Sequence, residues 1–366
     1  MKNLFSTITL LAILTAIGCK NDDSGSVTPG FDRQLMLEEL ADNVIIPAYD
    51  TLNKTTTTLD AAMNAFVADP TTTTLSNART AFEAAYHAWQ RASFWDFGPA
   101  FDAFLISSLN SFPASKVGID NNIATGTYDF STSDAQSQKG FPAIDYLLYG
   151  VANTEAGVVD MFTNDANADN RRAYIQAVME DIVKRVHDVA SAWSGTYRQS
   201  FINKDGTDVG SSVGLIVNEL NKYFERVARD KKIGIPLGKR SNGIPIPANV
   251  EAYYSGISIS LALENLKAIR DFYMGIGPEE DVTGLYEYLD AINAQEGTLA
   301  DVIKDQFELA IKEVGEIPSP YSETVETNPG PANEAYQELQ ALVVLLKADM
   351  PSALGVLITY QDNDGD

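Results

Sequence analysis

From Phe31 onward, apolar residues recur at spacings of three and four. Phe82, Tyr86 and Trp89 form one such stripe, and Ile175, Val178, Ile182, Val186, Val189 and Trp193 another. Val213, Val217, Leu220, Phe224 and Val227 make a third, and Leu339, Leu342, Val343 and Leu346 a fourth. A period near 3.6 places each set on one face of an amphipathic helix that buries it against a neighbour. Prolines and glycines punctuate the stripes, among them Pro70, Pro99, Pro113, Gly140, Pro236 and Pro351. Ile257 to Leu263 alternates as a strand would, but Glu264 to Tyr273 continues without a turn signal, so the pattern predicts one helix from about Val250 to Met274. The chain reads as all-α.

Residues 110–139 hold many Asn, Ser, Thr, Gly and Asp and few apolar residues in any period, which predicts a long loop. Residues 233–249, rich in Gly and Pro, predict a second, and loops of this length inside compact domains are often functional. The threonine runs Thr55–Thr58 and Thr71–Thr74 read as solvated helix ends and turns. Glycines and Asn203 clustered over 195–210 mark a domain boundary, so 31–200 and 201–366 are expected as two domains.

The N-terminus carries an address. Lys2 precedes an apolar run from Leu4 to Ile17, too short to span a membrane, and Gly18 stands before the single cysteine, Cys19. Ala16-Ile17-Gly18-Cys19 resembles the lipobox of bacterial lipoproteins, with Ala16 in place of the more usual leucine. The expectation is a signal peptide over 1–18, lipidation at Cys19 and a flexible polar tether over 19–30. The protein would be exported and lipid-anchored in the cell envelope, at the outer membrane, facing either the periplasm or the outside. With one cysteine, disulfides play no part in the fold.

Lys and Arg number 26 against 50 Asp and Glu, a net charge of −24. That balance excludes a nucleic-acid partner, which needs clustered basic residues, and opposes docking on anionic lipid. It leaves cations such as metal ions as partners.

The catalytic inventory is thin. His87 and His187 are the only histidines, and neither sits in a zinc-protease pattern. No phosphate loop or dinucleotide fingerprint is present. The terminal Asp362 to Asp366 lacks the spacing of a calcium loop and reads as an acidic tail.

Chemistry concentrates in Lys139-Gly140-Phe141-Pro142-Ala143-Ile144-Asp145-Tyr146-Leu147-Leu148-Tyr149-Gly150. Gly140 ends a loop, Pro142 suits a first helical turn, and Asp145 follows early in the helix, where the macrodipole favours its charge. Positions 142 and 145 share a helix face, and Phe141, Ile144 and Leu148 form an apolar stripe. Asn265 lies on the stripe of Tyr254, Ile257, Leu261, Ala268 and Phe272, which makes it a buried amide that pins helices or lines a cleft.

This segment resembles the signature region of the imelysin-like proteins, whose hallmark is Gly-x-His-x-x-Glu. Trp89 through Phe97-Gly98-Pro99 is similar to the family's tryptophan helix ending in Phe-Gly-Pro. Asn110 to Pro113, Ile119-Asp120, Lys232 to Gly238 and Glu251 to Leu266 resemble further segments in the same order. The resemblance implies two helical-bundle-like domains with a cleft between them, lined by residues 89–99, 140–146 and the helix near Ser255 and Asn265. It also implies export, a link to iron acquisition, and iron or another metal ion as the bound group. The chain departs at the motif itself: Gly140 matches, but Pro142 stands where the family has His, and Asp145 where it has Glu. Ser93 occupies the place of a further family glutamate, on the face of Phe82, Tyr86 and Trp89. The expectation is therefore a non-catalytic binding protein linked to iron or metal acquisition, partnered by a metal ion or an envelope protein, with Asp145 as the one anionic candidate ligand. The alternatives are a divergent metallopeptidase, or a surface interaction protein whose metal cleft is vestigial.

Overall fold

The computed structural model describes residues 31–292 and 298–360. The expected signal peptide, Cys19, the tether and the acidic tail from Asp362 lie outside the described residues. Among those described, helices carry the fold, no strand forms, and one isolated bridge joins Ile276 to Asp281. No described helix is long and apolar enough to cross a membrane.

The helix Ile46–Ala68 runs into Thr72–Ala92 through a three-residue link, so the two pack as an antiparallel pair. Thr71 starts the second helix with a capping box: its hydroxyl accepts the Thr74 N–H, and the Thr74 hydroxyl accepts the Thr71 N–H. The Phe82, Tyr86 and Trp89 stripe is buried, each side chain contributing about 2–3 kcal/mol of apolar burial. Ala168–Ala192 packs on Ile46–Ala68 from the other side. Ser258–Met274 crosses Thr72–Ala92 and also meets Leu299–Gly315, which pairs with Gly330–Val344. The 72–92 and 258–274 helices thus join the N-terminal helices to the C-terminal ones, and the buried side chains of both form one continuous core. Arg91 fastens this seam with ion pairs to Glu264 and to Asp271, the latter at 2.9 Å.

Three expectations need correction. The helix expected from Val250 begins at Ser258, and residues 251–256 form turns with Ala252 and Gly256 at positive φ. The cause is long-range: the backbone N–H groups of Tyr254 and Ser255 bond to Asp145 instead of to carbonyls four residues back. The loop expected over 110–139 contains a helix, Lys116–Thr125, capped by Ser115 and stopped by Gly126 at φ 65°. Its polar face hid the two residues, Ile119 and Ile123, that anchor it. Thr55–Thr58 lie inside Ile46–Ala68, not at its end, because each hydroxyl bonds the carbonyl four residues earlier.

Candidate functional site

The motif enters the seam through one backbone constraint. Gly140 has φ +70°, and a Cβ there would stand 2.3 Å from the Leu109 carbonyl oxygen. Glycine therefore lets the 140–145 helix begin against the end of helix Leu105–Leu109. Phe141 then stacks on Tyr86, ring centroids 4.7 Å apart, and lies near Trp89. Ile144 and Leu148 are fully buried with it, as their spacing requires.

Asp145 is buried at 2% exposure and ends this short helix. Its charge is met by other backbone than the helix N-terminus expected to favour it. Oδ2 accepts the N–H of Tyr254 at 2.9 Å and Oδ1 accepts the N–H of Ser255 at 3.0 Å. Burial pushes its carboxyl up to about 6, the hydrogen bonds from Ser255 and Tyr254 pull against that, and the charge of Glu251 adds to the rise. Pro142 and Asp145, on one face as expected, line a cavity of about 340 Å3 with Phe112, Val250, Tyr253 and Tyr254. Tyr253 and Tyr254 also border a more open, 640 Å3 groove that includes Glu323 and Glu326.

Ser93 sits at the C-terminal end of helix Thr72–Ala92, buried, with its Oγ 2.7 Å from the Tyr223 hydroxyl. Asn265 is the buried amide the stripe implied: Nδ2 donates to the Gln90 carbonyl at 2.9 Å and to Ser93 Oγ at 3.2 Å. Its Oδ1 is buried without a partner, as is the Trp89 indole N–H. Phe97 stacks on Phe201 and meets Trp193 edge-on, and Gly98 at φ +52° makes room for the Tyr197 ring. Ser255 is held by its backbone, with its Oγ turned to the Ala252 carbonyl. The structure thus joins Asp145 to Ser255, and Ser93 to Asn265, while Phe97 and Gly98 belong to the aromatic cluster around Trp193. Neither histidine enters: His187 is exposed, and His87 is half-buried with its Nε2 3.4 Å from Ser260 Oγ.

Beside Asp145 lies a buried polar cluster that motif reading missed. Lys232 Nζ donates to Glu251 Oε2 and, at 2.7 Å, to Gln90 Oε1. Glu251 Oε1 accepts from Asn110 Nδ2 at 2.7 Å and from Gln90 Nε2 at 3.2 Å. Tyr86 donates its hydroxyl to Asn110 Oδ1 at 2.7 Å. All five side chains are buried. Burial pushes the Lys232 ammonium below its ordinary value, a shift that the charge and hydrogen bond of Glu251 oppose without cancelling. Asn110, Lys232 and Glu251 each stood in a segment quoted above, but a charged residue in so acidic a chain reads as surface.

These residues do not fit a metal ion. Pro142 has no donor at all, and both Asp145 oxygens already hold backbone N–H groups. Among the described residues, no group of three or more His, Cys, Asp and Glu is placed to hold one. Asp145, expected as a candidate metal ligand, holds the chain at 254–255 with both carboxylate oxygens.

The imelysin family model matches residues 45–348. Iron-regulated protein A of Synechococcus elongatus is 24% identical over 302 residues, which cover 80% of this chain and 77% of that protein. A solved structure described as an iron-regulated protein A precursor from Parabacteroides distasonis superimposes with a TM-score of 0.74 at 22% identity, covering 88% of this chain and 95% of that one. An imelysin-like protein from Psychrobacter arcticum gives 0.68 at 17% identity, over 90% and 97%.

Proposed function

Since this chain belongs to the imelysin family, we propose that it is a non-catalytic binding protein in iron acquisition, tethered at the cell envelope by a lipid on Cys19. One observation carries the reading: the motif positions that would activate water or hold a bare metal ion are Pro142 and a carboxylate engaged by the chain's own backbone, beside a formed cavity of about 340 Å3. The iron link is supported by the relatives named iron-regulated protein A, one from a cyanobacterium and one from Parabacteroides. With no donor set for a naked ion at the motif, the ligand is an iron-bearing molecule, and the aromatic wall of Tyr253, Tyr254 and Phe112 is where it docks. The lipobox-like Ala16 to Cys19 supports export and anchoring at the outer membrane, and the acidic composition suits an extracytoplasmic carrier.

Calorimetry with ferric citrate tests this beside a cleavage assay on an unfolded protein substrate. The expected result is binding weakened at least tenfold by Tyr254→Ala, and no cleavage. Cleavage abolished by a chelator would overturn the reading. Membrane fractionation tests the anchor: the wild-type chain should sediment with membranes and Cys19→Ala should not.

A further inference from the structure

Four stretches far apart in sequence meet around one nitrogen. Gln90 comes from the Thr72–Ala92 helix, Asn110 from the end of Leu105–Leu109, Lys232 from the π-helix Phe224–Gly234 and Glu251 from the start of the turns over 251–256. The nitrogen, Lys232 Nζ, bonds a carboxylate oxygen and an amide oxygen. The other carboxylate oxygen is taken by two amide N–H groups, and Tyr86 orients one of those amides. A buried carboxylate needs a compensating positive charge. A divalent ion would want several anionic oxygens and six or more ligands in all. This cage offers one carboxylate, which the Lys232 ammonium meets in direct contact and the neighbouring Lys231 ammonium supports by charge alone.

We infer that Lys232 is the resident cation of this centre: its ammonium occupies the cage between Glu251 and Gln90, closes it to metal ions, and leaves behind, when removed, a site for a small primary ammonium ion. The geometry explains why each hydrogen bond made by the two charged groups runs toward Glu251 or from Lys232, while Tyr86 donates to Asn110 at the edge of the cluster. The cage stands whichever ligand the cleft carries.

The test is thermal unfolding of the full-length chain with ethylammonium chloride, against tetramethylammonium chloride at equal ionic strength. Lys232→Ala should gain several degrees in Tm from ethylammonium only, because a ligand bound to the folded state alone raises its stability. The wild type and Lys232→Ala/Glu251→Gln should gain nothing. A folded Lys232→Ala that ignores ethylammonium, or a wild type that gains equally, would overturn the inference. If Lys232→Ala does not fold, Lys232→Met/Glu251→Gln decides: it should melt above both single variants, since removing both charges leaves none uncompensated. A double variant that melts at or below either single one would overturn it.

Discussion

Asp145 Oδ2 accepts the backbone N–H of Tyr254 at 2.9 Å, across 109 residues of sequence. Ser255 repeats the bond on the other oxygen. A carboxylate at the motif thus fixes the turn that forms one wall of the cavity, so the family's reactive position is a structural tie in this chain.

Burial of this carboxyl, which outweighs the two hydrogen bonds, makes stability depend on pH in a definite direction. Asp145 titrates near 3.8 when exposed and near 6 in the fold, so the folded state holds the proton more tightly. Its contribution is complete below pH 3.8 and is lost as pH rises through 6. The full size is roughly 3 kcal/mol. Asp145→Asn stays neutral throughout. Urea unfolding at pH 4, 5, 6 and 7 should show wild type losing most of that amount relative to the variant between pH 4 and 6. A difference independent of pH would contradict the burial argument.

Gly140→Ala should destabilise by about 3 kcal/mol or more, because positive φ and contact with the Leu109 carbonyl add together. Gly243→Ala, at φ +80° with open space around it, should cost only about 1 kcal/mol. Melting temperatures of the two variants compare them directly; equal losses would remove the contact from the explanation.

Asn265 and Ser93 should prove coupled. Asn265→Ala removes the donor to Gln90 and Ser93, at a cost of about 2 kcal/mol. Ser93→Ala should cost less once Asn265 is gone, with a coupling of about 0.5–3 kcal/mol in a double-mutant cycle. Strict additivity would mean that the amide does not work through Ser93.

Arg91 joins the two halves of the molecule at a partly exposed site. Arg91→Ala should cost about 1 kcal/mol at low salt, and the loss should shrink in 1 M NaCl as screening shortens to about 3 Å. A loss unaffected by salt would assign the effect to packing of the side-chain stem.

The helical fold was legible because its signal is local: Phe82, Tyr86 and Trp89 keep their period whatever they pack against. The apolar face of the motif, Phe141, Ile144 and Leu148, was legible for the same reason, as was the buried amide at Asn265. What remained hidden depends on contacts between distant residues. The continuity of Glu264 to Tyr273 extends the expected helix back to Val250, and Asp145, more than a hundred residues away, takes the N–H groups of Tyr254 and Ser255 that would have continued it. Lys116–Thr125 carries two buried isoleucines among polar residues, too few to show a period. Lys232 and Glu251 look like ordinary surface charges until the chain folds them against each other, because a charge shows its partner only in three dimensions.

The most direct test of the account is uptake of bare metal ions by the full-length chain, measured by elemental analysis and by calorimetry with ferrous and zinc chlorides in the absence of citrate or any other chelator, beside Asp145→Ala. The account predicts no stoichiometric binding of either ion by either protein. One ion per chain in the wild type, lost in Asp145→Ala, would contradict it and return the motif to a metal site.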